Sequence, residues 1–97
     1  LDSFRRRIYL APLGLWLTSD AGTFDGLQLN SKSHVVRIGF SAATSYVTKA
    51  RLRISQPAKI PGVGKYHPAE KFAVERDAFV IPLTKTGTTW IELTDTN

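Results

Sequence analysis

The stretch Tyr46-Val47-Thr48-Lys49-Ala50-Arg51-Leu52-Arg53-Ile54-Ser55-Gln56-Pro57 limits what this chain can fold into more than any other. Side chains alternate across a β-strand, so Tyr46, Thr48, Ala50, Leu52 and Ile54 share one face, and Val47, Lys49, Arg51, Arg53 and Ser55 share the other. The first set suits a core. The second places Lys49, Arg51 and Arg53 at every other position, facing water. On a helix Arg51 and Arg53 would stand roughly 200° apart and one of them would be buried. Pro57 has no N–H to give a ladder and ends the strand. The segment therefore reads as a half-buried strand of an antiparallel sheet.

The remaining segments extend the same pattern. Arg5-Arg6-Arg7 precedes the mostly apolar run Ile8–Leu17, an order that superficially matches a secretory leader. Pro12, Gly14 and Trp16 interrupt that run, so two short strands joined by a bend fit better. The three arginines offer a processing site or a nucleic-acid arm, against the blander solvated boundary. Thr18–Gly22 is a turn cluster. Thr23–Leu29 reads as a strand kinked at Phe24-Asp25-Gly26, and Asn30–Ser33 as the next turn. In His34–Phe40, Val36, Ile38 and Phe40 point inward and Arg37 outward. If that strand pairs with 46–57, Arg37 joins the cations of the outer face. Gln56–Pro68 is the longest irregular piece and carries Lys59, Lys65, Tyr66 and His67, which makes it a candidate recognition loop or a crossover between sheets. Ala69–Arg76 fits a helical turn or a short strand. Ala78–Leu83 is apolar on both sides, Lys85–Thr88 is a tight turn, and Thr89–Thr94 is rich in β-formers. Six to eight short strands between closely spaced turns predict an all-β antiparallel two-sheet sandwich filling residues 1–97 as one domain.

Composition narrows the function classes. A hydrophobic content of 42% and a charged content of 22% are ordinary globular values. With no cysteine there is neither a disulfide framework nor a thiolate metal site. No run approaches the ~18 apolar residues a membrane span needs. The net charge of +5 and a pI near 9.9 fit an anionic polymer or an acidic partner, or simply a solvated basic surface. The chain begins at Leu1 and contains no methionine. A translated product starts with one, so the expectation is a piece of a longer precursor, with the larger polypeptide as its partner.

Chemistry-bearing constellations are thin. His34 and His67 lack a recognisable nucleophile partner, so no catalytic residue is assigned. The acids, including Asp20 and Asp25, lie mostly at turns, where capping of backbone groups is the ordinary role; no cofactor or metal is assigned. Pro61-Gly62-Val63-Gly64-Lys65 lacks the hydroxyl residue after its lysine that a phosphate loop needs. Aromatic platforms for sugar rings or bases remain a lead. Core burial is the default for most of these rings, and Tyr66 is the one expected at the surface. The strand cations have no aromatic between them, which ranks single-stranded nucleic acid low. Tyr66, His67, Lys49, Arg51 and Arg53 are therefore the candidate ligand-binding residues.

Three segments carry a family resemblance: Ala11-Pro12-Leu13-Gly14-Leu15-Trp16-Leu17-Thr18-Ser19-Asp20-Ala21-Gly22, Ala50-Arg51-Leu52-Arg53-Ile54 and Phe79-Val80-Ile81-Pro82-Leu83. Together they resemble the terminal β-domain of an uncharacterised family of large secreted fungal and actinobacterial proteins that look like glycoside hydrolases. The resemblance implies an extracellular, non-catalytic accessory sandwich that packs against a catalytic part and helps hold polysaccharide. Two other readings stay open. One is a free-standing basic module for acidic polysaccharide or nucleic acid. The other is a small chain lending a loop residue, such as His67 or Tyr66, to an active site completed by another chain.

Overall fold

Alternating apolar and polar residues produce strands throughout the computed structural model, which describes residues 7–30, 32–42, 46–84 and 87–95. The strands are β1 (Arg7–Leu10), β2 (Leu15–Ser19), β3 (Thr23–Asn30), β4 (Val35–Ser41), β5 (Lys49–Ser55), β6 (Tyr66–Pro68), β7 (Ala73–Glu75), β8 (Ala78–Pro82) and β9 (Thr88–Asp95). Arg5 and Arg6, residues 43–45 of the expected connection into β5, and Lys85 and Thr86 of the expected last turn lie outside the described residues.

Two antiparallel sheets form. Sheet one has the order β1-β2-β5-β8-β7 and sheet two the order β3-β4-β9-β6. The chain changes sheet after β2, β4, β5, β6 and β8, so the all-β two-sheet sandwich holds. The bend at Pro12 and Gly14 is a single 3-10 turn, Ala11–Leu13, which Gly14 leaves in a left-handed conformation with φ 59°. The expected kink in β3 is a bulge between Phe24 and Gly26. Asn30 shapes the β3–β4 hairpin, its side-chain oxygen accepting the backbone N–H groups of Lys32 and Ser33 at 3.1 Å each.

The core lies where the inner faces meet. Leu15, Leu17, Leu52 and Ile81 of sheet one pack with Val36, Ile38, Phe40, Ile91 and Leu93 of sheet two, and Leu10, Leu13 and Tyr66 join them. Burying each large apolar side chain contributes about 1.5–3 kcal/mol against leaving it in water. Strand β5 behaves as its alternation requires. Ala50 and Leu52 are buried, whereas Lys49 and Arg53 are exposed. It begins at Lys49, across from Pro82, rather than at Tyr46, and one further backbone bond, from Leu83 N–H to the Thr48 carbonyl at 2.8 Å, continues past that pair. Tyr46, which precedes the strand, is exposed.

Some expectations give way. Arg37 does not share a sheet with β5, because β4 pairs with β3 and β9 and the chain crosses the sandwich before β5 begins. Strands β6 and β7 are three residues each, too short for periodicity to mark them. Edge positions are less covered. Leu27 and Leu29 lie across from the core residues Ile38 and Val36, yet both are exposed on edge strand β3. Val74 is exposed on edge strand β7. Leu52→Ala should therefore lower unfolding free energy by ~2–5 kcal/mol, and Leu29→Ala by about 1 kcal/mol or less. Urea unfolding of the two variants checks this; equal losses would misplace the core.

Candidate functional site

Because the inner set of each strand is fixed by the core, the outer set is fixed as well. On the outside of sheet one, Arg7 lies across from Thr18, and Thr18 across from Arg53. The next row is Tyr9, Trp16 and Ser55. Further across the sheet, Arg51 faces Val80 and Lys49 faces Pro82. Five strands at ~4.8 Å spacing make this face roughly 19 Å wide. At the β7 end, Lys49, Lys71, Phe72, Ala73, Val80 and Pro82 line a shallow hollow of about 420 Å³.

The cations of this face have different fates. Arg51 donates from Nη1 to Asp20 at 3.1 Å and from Nε to Glu75 at 3.1 Å, and its backbone N–H donates to Asp20 Oδ1 at 2.7 Å. The hydrogen bonds it donates to Asp20 and Glu75 raise its already high pKa. It thus ties the end of β2 to β5 and β7 and spends its charge internally. Lys49 and Arg53 meet no acidic partner among the described residues. Arg7 lies 4.3 Å from the centroid of Trp16, and Tyr9 stacks on that same indole at 4.6 Å, tilted by 32°. Such a cation–π contact is worth ~0.5–1 kcal/mol when exposed, enough to hold a guanidinium in place.

Tyr66 and His67 part company, because neighbours in a strand face opposite ways. Tyr66 is 5% exposed and belongs to the core, which corrects its expected surface position. Its backbone N–H donates to Gln56 Oε1 at 2.7 Å, and Gln56 Nε2 donates to the Gly64 carbonyl at 3.1 Å. Gln56 thereby fastens both ends of the 56–65 segment, which runs from sheet one to sheet two. That segment is a fastened crossover with a concave outer side of about 540 Å³. His67 is exposed and pairs with Thr94, on the outside of sheet two.

Sheet two carries a different outer face. Trp90 lies out of phase with the buried Ile91 and Leu93, so it faces outward with Glu92. Its indole lies across Gly39 and reaches Gly26, where an added Cβ would collide with the ring. The Arg37 guanidinium is 5.2 Å from the Trp90 ring centroid. Arg37 Nη1 also donates to Gln28 Oε1 at 3.3 Å, and Arg37 Nε lies 3.9 Å from Glu92. Beside the ring, Asp25 accepts hydrogen bonds from the hydroxyls of Ser41 and Thr88. This is the ordinary polar satisfaction expected of an acid near a turn. Among the described residues there is no group of three or more His, Cys, Asp or Glu able to hold a metal ion. No helix among them is long and apolar enough to cross a membrane.

A model described as a family of unknown function, DUF5695, matches residues 1–91. The chain belongs to this family. The match runs from the first residue into β9 and so takes in both sheets. The DUF5695 chain matches no curated protein and no solved structure.

Of the five candidate residues, the fold gathers Lys49, Arg51 and Arg53 on one sheet, places His67 outside the other, and buries Tyr66 between them. Sequence reading missed Arg7, Tyr9 and Trp16 as neighbours of Arg53, and Trp90 as an outward ring. The signal was available in the alternation Leu15-Trp16-Leu17 and Trp90-Ile91-Glu92-Leu93, since each tryptophan is out of phase with its buried neighbours. Burial, with a further contribution from the Asp95 charge, raises the Tyr66 phenol above its ordinary value. A raised acid is stabilising below the unfolded-chain value near 10 and loses that contribution as pH climbs through the folded value. Tyr66→Phe should thus unfold at nearly the wild-type temperature at pH 7 and lose less of its melting temperature between pH 9 and 11. Parallel declines in the two proteins would remove Tyr66 from the alkaline transition.

Proposed function

We propose that this DUF5695 chain is a non-catalytic accessory β-sandwich of a larger extracellular, polysaccharide-active protein, and that it holds acidic polysaccharide on the outer face of sheet one. The observation that carries the reading is the allocation of charge on that face. Arg7, Lys49, Arg51, Arg53 and Lys71 face or rim it, while Asp20 and Glu75 are both committed to Arg51. Arg7 and Arg53 at one end and Lys49 and Lys71 at the other leave two cationic ends joined by a sheet surface. Spaced carboxylates or sulfates along a sugar chain match such an arrangement, because exposed charges attract at a distance without a deep pocket.

The accessory role draws on two further features. Leu27, Leu29 and Val74 are exposed on edge strands, as expected where another part of a longer protein covers them. The resemblance of 11–22, 50–54 and 79–83 to a terminal β-domain points the same way. Nucleic acid is the competing anionic polymer, since aromatics and cations now share a face. The Trp16 ring is already engaged by Arg7 and Tyr9, however, which leaves no free stacking plane there.

Binding to a soluble polyuronate such as polygalacturonate, measured at 50 and 300 mM salt, tests this. Three exposed ionic contacts at ~0.5–1 kcal/mol each predict roughly a 10- to 100-fold loss when Arg7, Lys49 and Arg53 are all changed to Ser. High salt should produce a comparable loss. Affinity indifferent to both changes would reject the face. In the parent protein, removing residues 1–97 should lower the melting temperature of what remains; an unchanged transition would reject the packing role.

A further inference from the structure

We propose a second carbohydrate site on the opposite side of the sandwich, where Trp90 stacks an uncharged pyranose ring and Arg37, Glu92 and Gln28 bind its hydroxyls. This site is independent of the acidic-polysaccharide reading, because it uses other residues, another sheet and a different kind of attraction.

The indole is placed rather than merely left over. Trp90 stands on β9, crosses Gly39 on β4 and ends over Gly26 on β3. A Cβ at Gly39 would sit 3.3 Å from the ring, and one at Gly26 would collide with it. Gly26 therefore clears room for the ring, while Gly39, paired with it on the neighbouring strand, is pressed first by Thr88 Cγ2, 2.7 Å from an added Cβ, and next by Asp25 and the ring. Glycine weakens a strand interior, and its presence there marks close approach by another group. Despite that contact the ring remains 40% exposed. The Arg37 guanidinium, 5.2 Å from the ring centroid, takes part of this plane, and the exposed remainder is poised for an apolar counterpart beside it.

The surroundings define that counterpart. On the Trp90 side, Arg37, Ala69, Glu70, Trp90, Ile91 and Glu92 line a hollow of about 340 Å³. Arg37 and Glu92 also line a neighbouring hollow of about 430 Å³ that extends to Gln28, Asn30 and Ser33. From Trp90 to the level of Thr94, which pairs with Val35, the strand rises ~13 Å, enough for more than one sugar ring. A pyranose with equatorial hydroxyls presents a flat face of C–H groups, whose partial positive charge suits the negative face of an indole. Its hydroxyls project around the rim, where a carboxylate accepts and a guanidinium donates. Arg37 and Glu92 are only loosely paired at 3.9 Å, and both are exposed, so each keeps capacity for a hydroxyl.

Charge decides against a polyanion here. Asp25, Glu70 and Glu92 surround the ring, with Arg37 as the nearest described cation. Phosphate or uronate groups would meet carboxylates on both flanks, which costs affinity through like-charge repulsion. The ligand class is thus a neutral polysaccharide.

Trp16 and Trp90 are the two tryptophans, so Trp16→Phe leaves Trp90 as the sole indole reporter. That protein should be titrated with neutral hexasaccharides of β-1,4-linked glucose, xylose and mannose, and with soluble β-1,3-glucan, all at 0.5 M salt. At least one should give a saturable change in Trp90 fluorescence. By calorimetry, Trp90→Ala should lose about tenfold or more of that affinity. Gly26→Ala should reduce it similarly by lifting the ring, with the circular dichroism of the folded protein retained. Lys49→Ser with Arg53→Ser should leave it unchanged, which separates this site from the sheet-one face. The proposal is overturned if none of the four glycans shifts Trp90, or if Trp90→Ala binds them as tightly as the parent protein.

Discussion

Everything else in this molecule depends on the interlocking of two inner faces. Leu15, Leu17, Leu52 and Ile81 on one sheet meet Val36, Ile38, Phe40, Ile91 and Leu93 on the other. Side chains alternate with a strict period of two, so a slip of one residue in any strand would carry these groups into water. The core thus fixes the register, and the register fixes which residues face outward. Neither outer face is arranged separately. Each is the complement of a packing decision made on the inside.

The two outer faces that result differ in how they use charge. On sheet one the acids are drawn inward onto a single cation, since Asp20 and Glu75 both bond Arg51, and the other cations are left to solvent. On sheet two the acids Asp25, Glu70 and Glu92 lie about the exposed Trp90 ring. Tryptophan is also used in two ways. Trp16 is covered by both Arg7 and Tyr9, whereas Trp90 lies against glycine, has the Arg37 guanidinium 5.2 Å from its centroid, and still stays 40% exposed. A net charge of +5 describes neither face, because it averages over surfaces that point in opposite directions.

How much could be read in advance followed segment length. Strands of five residues or more, such as β4, β5 and β9, carry enough alternation to show both their existence and their buried set. The three-residue strands β6 and β7 carry almost none, and Tyr66 was misplaced for that reason. Isolated in a loop rich in proline and glycine, it looked exposed. Paired with Asp95 as the first residue of a short strand, it turns into the core. Arg37 shows a second limit. Its outward direction followed from Val36 and Ile38, but its sheet did not, because strand partners are chosen by long-range pairing.

The sequence by itself determined the class of fold, the inward set of each long strand, the bend at Pro12 and Gly14, and the outward direction of Lys49, Arg51 and Arg53. These are local consequences of alternation, of proline's missing donor and of glycine's conformational range. Only the tertiary structure decided that Arg51 is neutralised, that Arg7 and Trp16 stand beside Arg53, and that Trp90 lies over Gly26 and Gly39. Each of those facts joins residues far apart in the chain. Such contacts are set by the order of strands in the sheets, which no local pattern encodes.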